Sequence, residues 1–306
     1  MLNFFGKKAL EPKIKVLAKE RTPYNDIYVI QKGENREIWF KSNGDYYLQS
    51  RVNVDNQKQL ALVYSNMMVA SLLFCPNPRR LLMVGLGGAT VTNFLSEWFP
   101  NLHIDVVEID KKVIEVSKKY FYLRESNRYQ IFQEDGRVFI QKIKNQELYD
   151  WIILDAFKGG SIPYHLKTHQ FYNEIRRILQ QDGIVSSNLY GKGNLLKPRD
   201  TKTFMSVFPN IYCFEDVERV ATVMIANDGA HWSEEKIHEK AEVFNKIPQP
   251  FSMKEIAKNY RPGKFIEESV ARFDDQFSDR GFLNDIESEN RQNIKSRRYP
   301  IKNFHL

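Results

Sequence analysis

Four carboxylates in the middle of the chain, Glu108, Asp110, Asp135 and Asp155, share a position: each closes an apolar run, in "VVEID", "IFQED" and "WIILDA". Upstream, "LLMVGLGGAT" (81–90) runs another apolar stretch into Gly85, Gly87 and Gly88. Bare backbone there permits a turn with positive φ and close approach by a ligand. A carboxylate about twenty residues past such a turn, here Glu108, can accept hydrogen bonds from both hydroxyls of a ribose. Acids gathered at neighbouring strand tips repel one another and lose hydration, which a bound ligand can offset. Taken singly, each acid reads first as a helix cap, and the glycines read equally as a tight turn with nothing bound. Together, with Glu108-Ile109-Asp110, Asp135-Gly136 and Asp155-Ala156 on one edge beside the glycines, they point to an adenosine-containing ligand.

The kind of adenosine compound follows from charge. No Gly-Lys-Ser/Thr follows the glycines, so the turn is not a P-loop, and Thr90 spoils the last position of a dinucleotide fingerprint. A sulfonium nucleoside, positively charged, suits a carboxylate-lined pocket by charge complementarity. That points to S-adenosylmethionine or its decarboxylated form.

The elements that must position these tips are legible in the alternation of pattern. From 79 to 228, strands "RRLLMVGL", "HIDVVEID", "YQIFQED", "YDWIILDA" and "GIVSSNLY" alternate with helices expected at 89–98, 111–119, 137–144, 168–180 and 200–207. Alternation of this kind builds a parallel sheet with helices on both faces, a doubly wound α/β fold. The last two runs, "IYCFEDVE" and "ATVMIAND", are two residues apart and should pair antiparallel. Ahead of the sheet, "IYVIQ", "REIWFKS" and "YYLQS", separated by "KGEN" and "NGD", read as a small antiparallel hairpin unit. A helix is expected over 57–74, ended by Pro76 and Pro78. Residues 1–20 read as a basic, poorly structured lead-in. The expected division is 1–75 for the hairpin domain and connecting helix, 76–229 for the nucleoside-binding domain, and 230–306 for a C-terminal extension. In that extension, helices are expected near 233–246 and 252–259, with docking through Phe265, Phe273, Phe277 and Phe282.

Composition narrows the class. No apolar run approaches the roughly 18 residues that span a bilayer, and the N-terminal residues lack the pattern of a cleaved secretory signal. Cys75 and Cys213, far apart, fit a reduced compartment, so the expected location is cytoplasmic. The net charge is +7, but basic and acidic residues interleave, and the one compact basic cluster, "KSRRYPIK" (295–302), reads as a solvated tail. Neither a membrane nor a nucleic acid is an expected partner.

From about Tyr24 to Asp228 the chain resembles the spermidine synthase (polyamine aminopropyltransferase) family. The resemblance rests on "DYYLQS", "YSNMM", "VGLGG", "VVEID", "EDGRVFI" and "YDWIILDAF", which come in the family's order and approximate spacing. It implies a methyltransferase-like Rossmann sheet behind an N-terminal β-hairpin domain used for homodimer formation. It further implies an aminopropyl transfer from decarboxylated S-adenosylmethionine to a small amine, without a metal. Gln49 would lie against the sulfonium nucleoside, beside the turn of Gly85 and Gly87. Glu108, followed by Ile109, would hold the ribose, and Asp135, followed by Gly136, the adenine amino group. Asp155 would be the base beside the attacking amine, with Tyr64 positioning that amine. Four positions depart from the family. Its glycine motif has an aspartate where Gly88 stands, its acidic loop has an aspartate where Lys158 stands, and the glutamate and histidine that usually follow its tyrosine read here as Asn66 and Ala70. An S-adenosylmethionine-dependent methyltransferase and a non-catalytic relative are the alternative readings.

Other candidates have plain structural readings. His165 and His169 are spaced as on a helix, but Thr168 between them is a good N-cap, so they should straddle a helix start. "SIPYHL" (161–166), just after Asp155, reads as the loop covering the acceptor. Trp98 and Trp151 are expected in the core, and the Tyr120–Phe121–Tyr122 run is expected to pack after the second helix.

Overall fold

The computed structural model describes residues 13–275, apart from 43, 145–147, 159–161, 190–195, 219–220, 247–249, 264–266 and 268. The expectations for Phe265, Phe277, Phe282 and the basic 295–302 cluster lie outside the described residues.

The main sheet has seven strands. Its parallel centre comprises β5 (Arg80–Val84), β6 (His103–Glu108), β7 (Tyr129–Gln133), β8 (Tyr149–Leu154) and β9 (Leu179–Asn188). At one edge β10 (Asn210–Glu215) and β11 (Thr222–Asn227) form the expected antiparallel pair. The spatial order is β10-β11-β9-β8-β5-β6-β7. The chain therefore winds outward from β5 through β7 and returns to lay β8 on the other side of β5. Strand order reverses between β5 and β8, and ligands bind outside the carboxyl ends of strands at such a switch point.

Side chains alternate across β5 and so feed two cores. Leu81 and Met83 pack with Phe94, Leu95 and Val113 from α3 (Thr90–Trp98) and α4 (Lys111–Tyr120). Leu82 and Val84 pack with Ile140, Phe171 and Phe204 from α5 (Gly136–Lys142), α6 (His169–Arg177) and α7 (Lys197–Met205). Trp151 is fully buried at the sheet centre and donates its indole N–H to Ser186 Oγ at 2.8 Å.

The N-terminal sheet has four strands, not three. β1 (Ile14–Arg21) pairs antiparallel with β2 (Asp26–Lys32), followed by β3 (Asn35–Ser42) and β4 (Asp45–Asn53). β1 lies inside the stretch expected to be unstructured. It is an edge strand whose lysines and glutamate hide the apolar alternation, as edge strands commonly do. Ile27, Val29, Ile38 and Phe40 from this sheet join the β5 core, so the sheet packs directly on the Rossmann unit.

Two element boundaries and the burial of one side chain also differ from expectation. The helix over 57–74 is two short pieces, α1 (Val63–Met68) and α2 (Ser71–Phe74). An Asx turn at Asn53 and a turn closed by Gln59 N–H on the Asn56 carbonyl hold the preceding residues out of helix. The helix expected to reach 180 stops at Arg177, because Leu179 already pairs with Tyr149 in the sheet. Trp98 is 38% exposed rather than core: it ends α3 with its ring tilted against Phe94. The extension beyond 230 forms α8 (Glu234–Phe244) and α9 (Met253–Ala257), whose Ile237, Ala241, Met253 and Ile256 belong to the β5 core. Among the described residues no helix is long and apolar enough to cross a membrane, and no group of three or more metal-ligating side chains gathers.

Candidate active site

The turn after β5 is built for close approach. Gly85 has φ +96°, and a Cβ there would lie 2.5 Å from the carbonyl oxygen of Asp155. The two tips flanking the switch point thus touch through backbone, tied also by the Asp155 N–H donating to Val84 at 2.9 Å. Gly87 has φ +53° and Ala89 takes the left-handed conformation as N-cap of α3. Gly88 donates its N–H to Ser50 Oγ at 2.8 Å, bringing β4 onto the turn.

At Gly88 the packing leaves no room for a side chain such as aspartate. An added Cβ would stand 2.8 Å from Ser50 Cβ and 2.9 Å from Phe121 Cδ1. Phe121, from the expected packing run after α4, and Ser50 fill that space.

Glu108 ends β6 with its carboxylate caught by backbone. Leu86 N–H donates to Oε2 at 3.0 Å and Asp110 N–H to Oε1 at 2.9 Å. Burial nevertheless dominates these bonds and pushes its pKa up to about 7. Asp110 is not a ligand-facing acid: it is 2% exposed, caps α4 through Lys112 N–H, and accepts the Thr22 hydroxyl at 2.6 Å. Ile109, between them, is 36% exposed, leaving an apolar face at the mouth beside Glu108.

Asp135 is both cap and candidate ligand. Its Oδ1 accepts the N–H groups of Arg137 and Val138 at 3.0 and 3.1 Å, and its Oδ2 is bonded to His165 Nε2 at 2.9 Å. The His165 bond, first, and the two N–H groups hold its pKa below the usual carboxylate range. Gly136 is required for packing: a Cβ would lie 2.4 Å from Val84 Cγ1.

Asp155, the residue just after β8, has a different environment. Asn188, at the end of β9, donates its amide to Asp155 Oδ1 at 3.0 Å. The Tyr64 phenol sits beside the same carboxylate and within 3.1 Å of the Gln49 carbonyl. Burial outweighs both partners and raises the Asp155 pKa to about 7. Burial and the Asp155 charge together push Tyr64 well above the ordinary phenol value, so it stays a hydrogen-bond donor. Gln49 turns its own side-chain amide to the Tyr47 carbonyl at 3.1 Å.

The expected site residues therefore fall along one edge, in two groups. Gly85, Gly87, Glu108, Ile109, Asp135 and Gly136 occupy the tips of β5–β7, while Asp155, Tyr64 and Gln49 lie across the switch point. Ser50 and Asn188 were not singled out from sequence. Ser50 could have been suspected as the neighbour of Gln49 in "YYLQS", and Asn188 as the one amide ending "GIVSSN". Lys158 is exposed. Thr168 caps α6 by accepting the Phe171 N–H, so His165 and His169 straddle the helix start as expected.

A family model described as the spermine/spermidine synthase domain matches residues 61–241. The polyamine aminopropyltransferase of Vibrio vulnificus is 32% identical over 279 residues, covering 88% of this chain and 91% of that protein. The chain belongs to the spermine/spermidine synthase family. It is a transferase of that family. Among solved structures, a probable spermidine synthase from Corynebacterium glutamicum superposes with TM-score 0.67 at 19% identity, over 86% of this chain and 97% of that one. Human methyltransferase-like protein 13, in complex with SAH, superposes with TM-score 0.56 at 22% identity, over 73% and 100%. Family membership and fold are thus secured by separate observations, one in sequence and one in shape.

Proposed function

We propose that this family member transfers an aminopropyl group from decarboxylated S-adenosylmethionine to an amine acceptor. The observation that carries the reading is the Asp155 carboxylate, raised to about 7 beside Tyr64 and Asn188 and in backbone contact with the glycine turn. In this reading Glu108 holds the ribose hydroxyls, Asp135 the adenine amino group, Ile109 an adenine face, and Gln49 the aminopropyl end. The acceptor nitrogen attacks the carbon next to sulfur, a C–N bond forms, and the C–S electron pair returns to sulfur, leaving methylthioadenosine. The proton lost by the amine goes to Asp155, whose pKa near the working pH suits a general base. Tyr64, kept protonated, has its hydroxyl on the Gln49 carbonyl beside Asp155, where it positions the attacking amine, and proximity supplies much of the remaining rate. By the family resemblance the N-terminal sheet is the proposed contact in a homodimer, and the cytoplasm the proposed compartment.

The methyltransferase reading is favoured by one observation: Phe121 and Ser50 occupy the space a carboxylate at Gly88 would need to face the aminopropyl end. Parallel calorimetric titrations with S-adenosylmethionine, its decarboxylated form and methylthioadenosine, followed by turnover with amine acceptors, decide between them. Aminopropyl transfer requires turnover with the decarboxylated donor. Turnover with intact S-adenosylmethionine alone would replace the proposal by methyl transfer, and binding without turnover of either donor by a non-catalytic role.

A further inference from the structure

One oxygen of Asp135 belongs to α5, and the other is bonded to His165. An imidazole N–H and an exocyclic adenine N–H make the same demand on that second oxygen. We propose that His165 is an internal competitor for the adenine position, held there by the C-terminal segment Arg272–Asp275. The proposal rests on the nucleoside reading given above.

The retention is visible in three layers around Arg137, the residue one step past the Asp135-Gly136 turn. Its guanidinium, only 14% exposed, is bidentate to Glu174 of α6 at 2.9 and 2.9 Å and bidentate to Asp275 at 2.9 and 2.7 Å. It also donates to the His165 carbonyl at 3.3 Å. The residue before His165 is held as well: the Tyr164 hydroxyl bonds the Asp274 carbonyl, and its ring meets Phe273 edge-on. The segment itself is anchored by Phe273, which is fully buried beneath Lys167 and Arg199, with its N–H on Thr203 Oγ1 and its carbonyl accepting from His169 N–H. His165 is 46% exposed at its side chain, so little but these tethers and Asp135 fixes it. The final described residues therefore keep an imidazole on the carboxylate that adenine needs, and donor binding has to displace it.

Methylthioadenosine affinity, measured by calorimetry on the full chain, tests this. His165→Ala and Asp275→Ala should each tighten binding about two- to fivefold, the range for partly exposed charged contacts. The double variant should bind no more tightly than His165→Ala, because both act on one contact. His165→Gln, which keeps an N–H donor, should stay near wild type. In turnover, the donor KM should fall in the two single variants, whereas simple loosening of the fold would raise it. Unchanged or weaker binding by His165→Ala, or single effects that multiply, overturns the competitor. Glu108→Ala separates the two readings. Binding that is lost on Glu108→Ala yet indifferent to His165 overturns the competitor alone. No binding by either wild type or His165→Ala overturns the pocket with it.

Discussion

On the proposed nucleoside side, the tips of β5, β6 and β7 hold their acids by local bonds. Glu108 takes the N–H two residues ahead and that of Leu86 on the adjacent strand tip, while Asp135 takes N–H groups two and three residues ahead. On the proposed acceptor side, little is local. Asp155 is bonded from β9 by Asn188 and has the Tyr64 phenol of α1 beside it, and the following loop is tied by Tyr164 to Asp274 and by Arg137 to Asp275. A site half made of short-range backbone geometry can recur across sequences of the same pattern, because the helix and strand periods reproduce it. The other half depends on which distant segments happen to arrive.

The largest expected effect breaks the acceptor half alone. Asp155→Asn keeps the shape and the Asn188 neighbour but cannot take a proton, so turnover should fall by about 10²–10⁴. Methylthioadenosine affinity should stay within about twofold. An equal loss of binding would merge the two halves and cost Asp155 its role as base.

The pH dependence sharpens the same contrast. Both Asp155 and Glu108 are raised to about 7, so protonation below that pH disables base and ribose clamp together. Donor kcat/KM should rise with pH through about 7 and then level. The kcat profile should rise at lower pH, since a bound sulfonium favours the ionised carboxylates. Stability runs the other way: an acid whose folded pKa exceeds its unfolded value is harder to ionise when folded, so stability declines as pH climbs from about 4 to about 7. Coincident kcat and kcat/KM limbs would mean the cation does not sit near these groups.

Breaking the nucleoside half is next in size. Glu108→Ala removes a charged acceptor worth about 1.5–3 kcal/mol, so nucleoside affinity should drop roughly tenfold to a hundredfold. The lost acceptor also strands the Leu86 and Asp110 N–H groups. Circular dichroism must show the fold retained for the affinity to be read. Unchanged affinity would remove the ribose assignment.

Gly88→Ala tests whether the departure at that position is built into the packing. Its methyl would crowd Ser50 and Phe121, and overpacking of this kind costs about 1–3 kcal/mol in urea unfolding. In a Phe121→Ala background, itself destabilised, the further cost of Gly88→Ala should be much smaller, because the ring it crowds is gone. A stable single variant would mean that β4 and α4 can move apart.

The smallest effect belongs to Lys158. Its exposure means it meets a diamine's far ammonium in nearly bulk water, where like charges 4 Å apart repel by about 1 kcal/mol. Lys158→Asp exchanges that repulsion for an attraction of similar size and should therefore improve putrescine kcat/KM by at most about thirtyfold in a side-by-side acceptor screen. A much larger gain would place the ammonium in a drier pocket than the structure describes.

What the sequence determined by itself is whatever periodicity and backbone chemistry encode locally. The alternation of strands and helices from 79 to 228, the glycine turn after "LLMV", and acids at the ends of "VVE", "IFQED" and "WIIL" follow from patterns a few residues long. So does the helix start at Thr168, a side chain capping its own chain three residues ahead. Tertiary structure alone decided the rest. β1 could not be read because an edge strand needs only a partner, not an apolar stripe, and its partner is β2. That Gly88 excludes a carboxylate is set by Ser50 and Phe121, neither of them near it in sequence. The pKa values of Asp155 and Glu108 come from burial, which no local pattern states. The bond from His165 to Asp135, and the strap at Asp275 that holds the loop, join residues 30 and 138 positions apart from their partners. Contacts of that range exist only once the cores on both faces of the sheet have closed and brought the tips, the loop and the C-terminal segment to one rim.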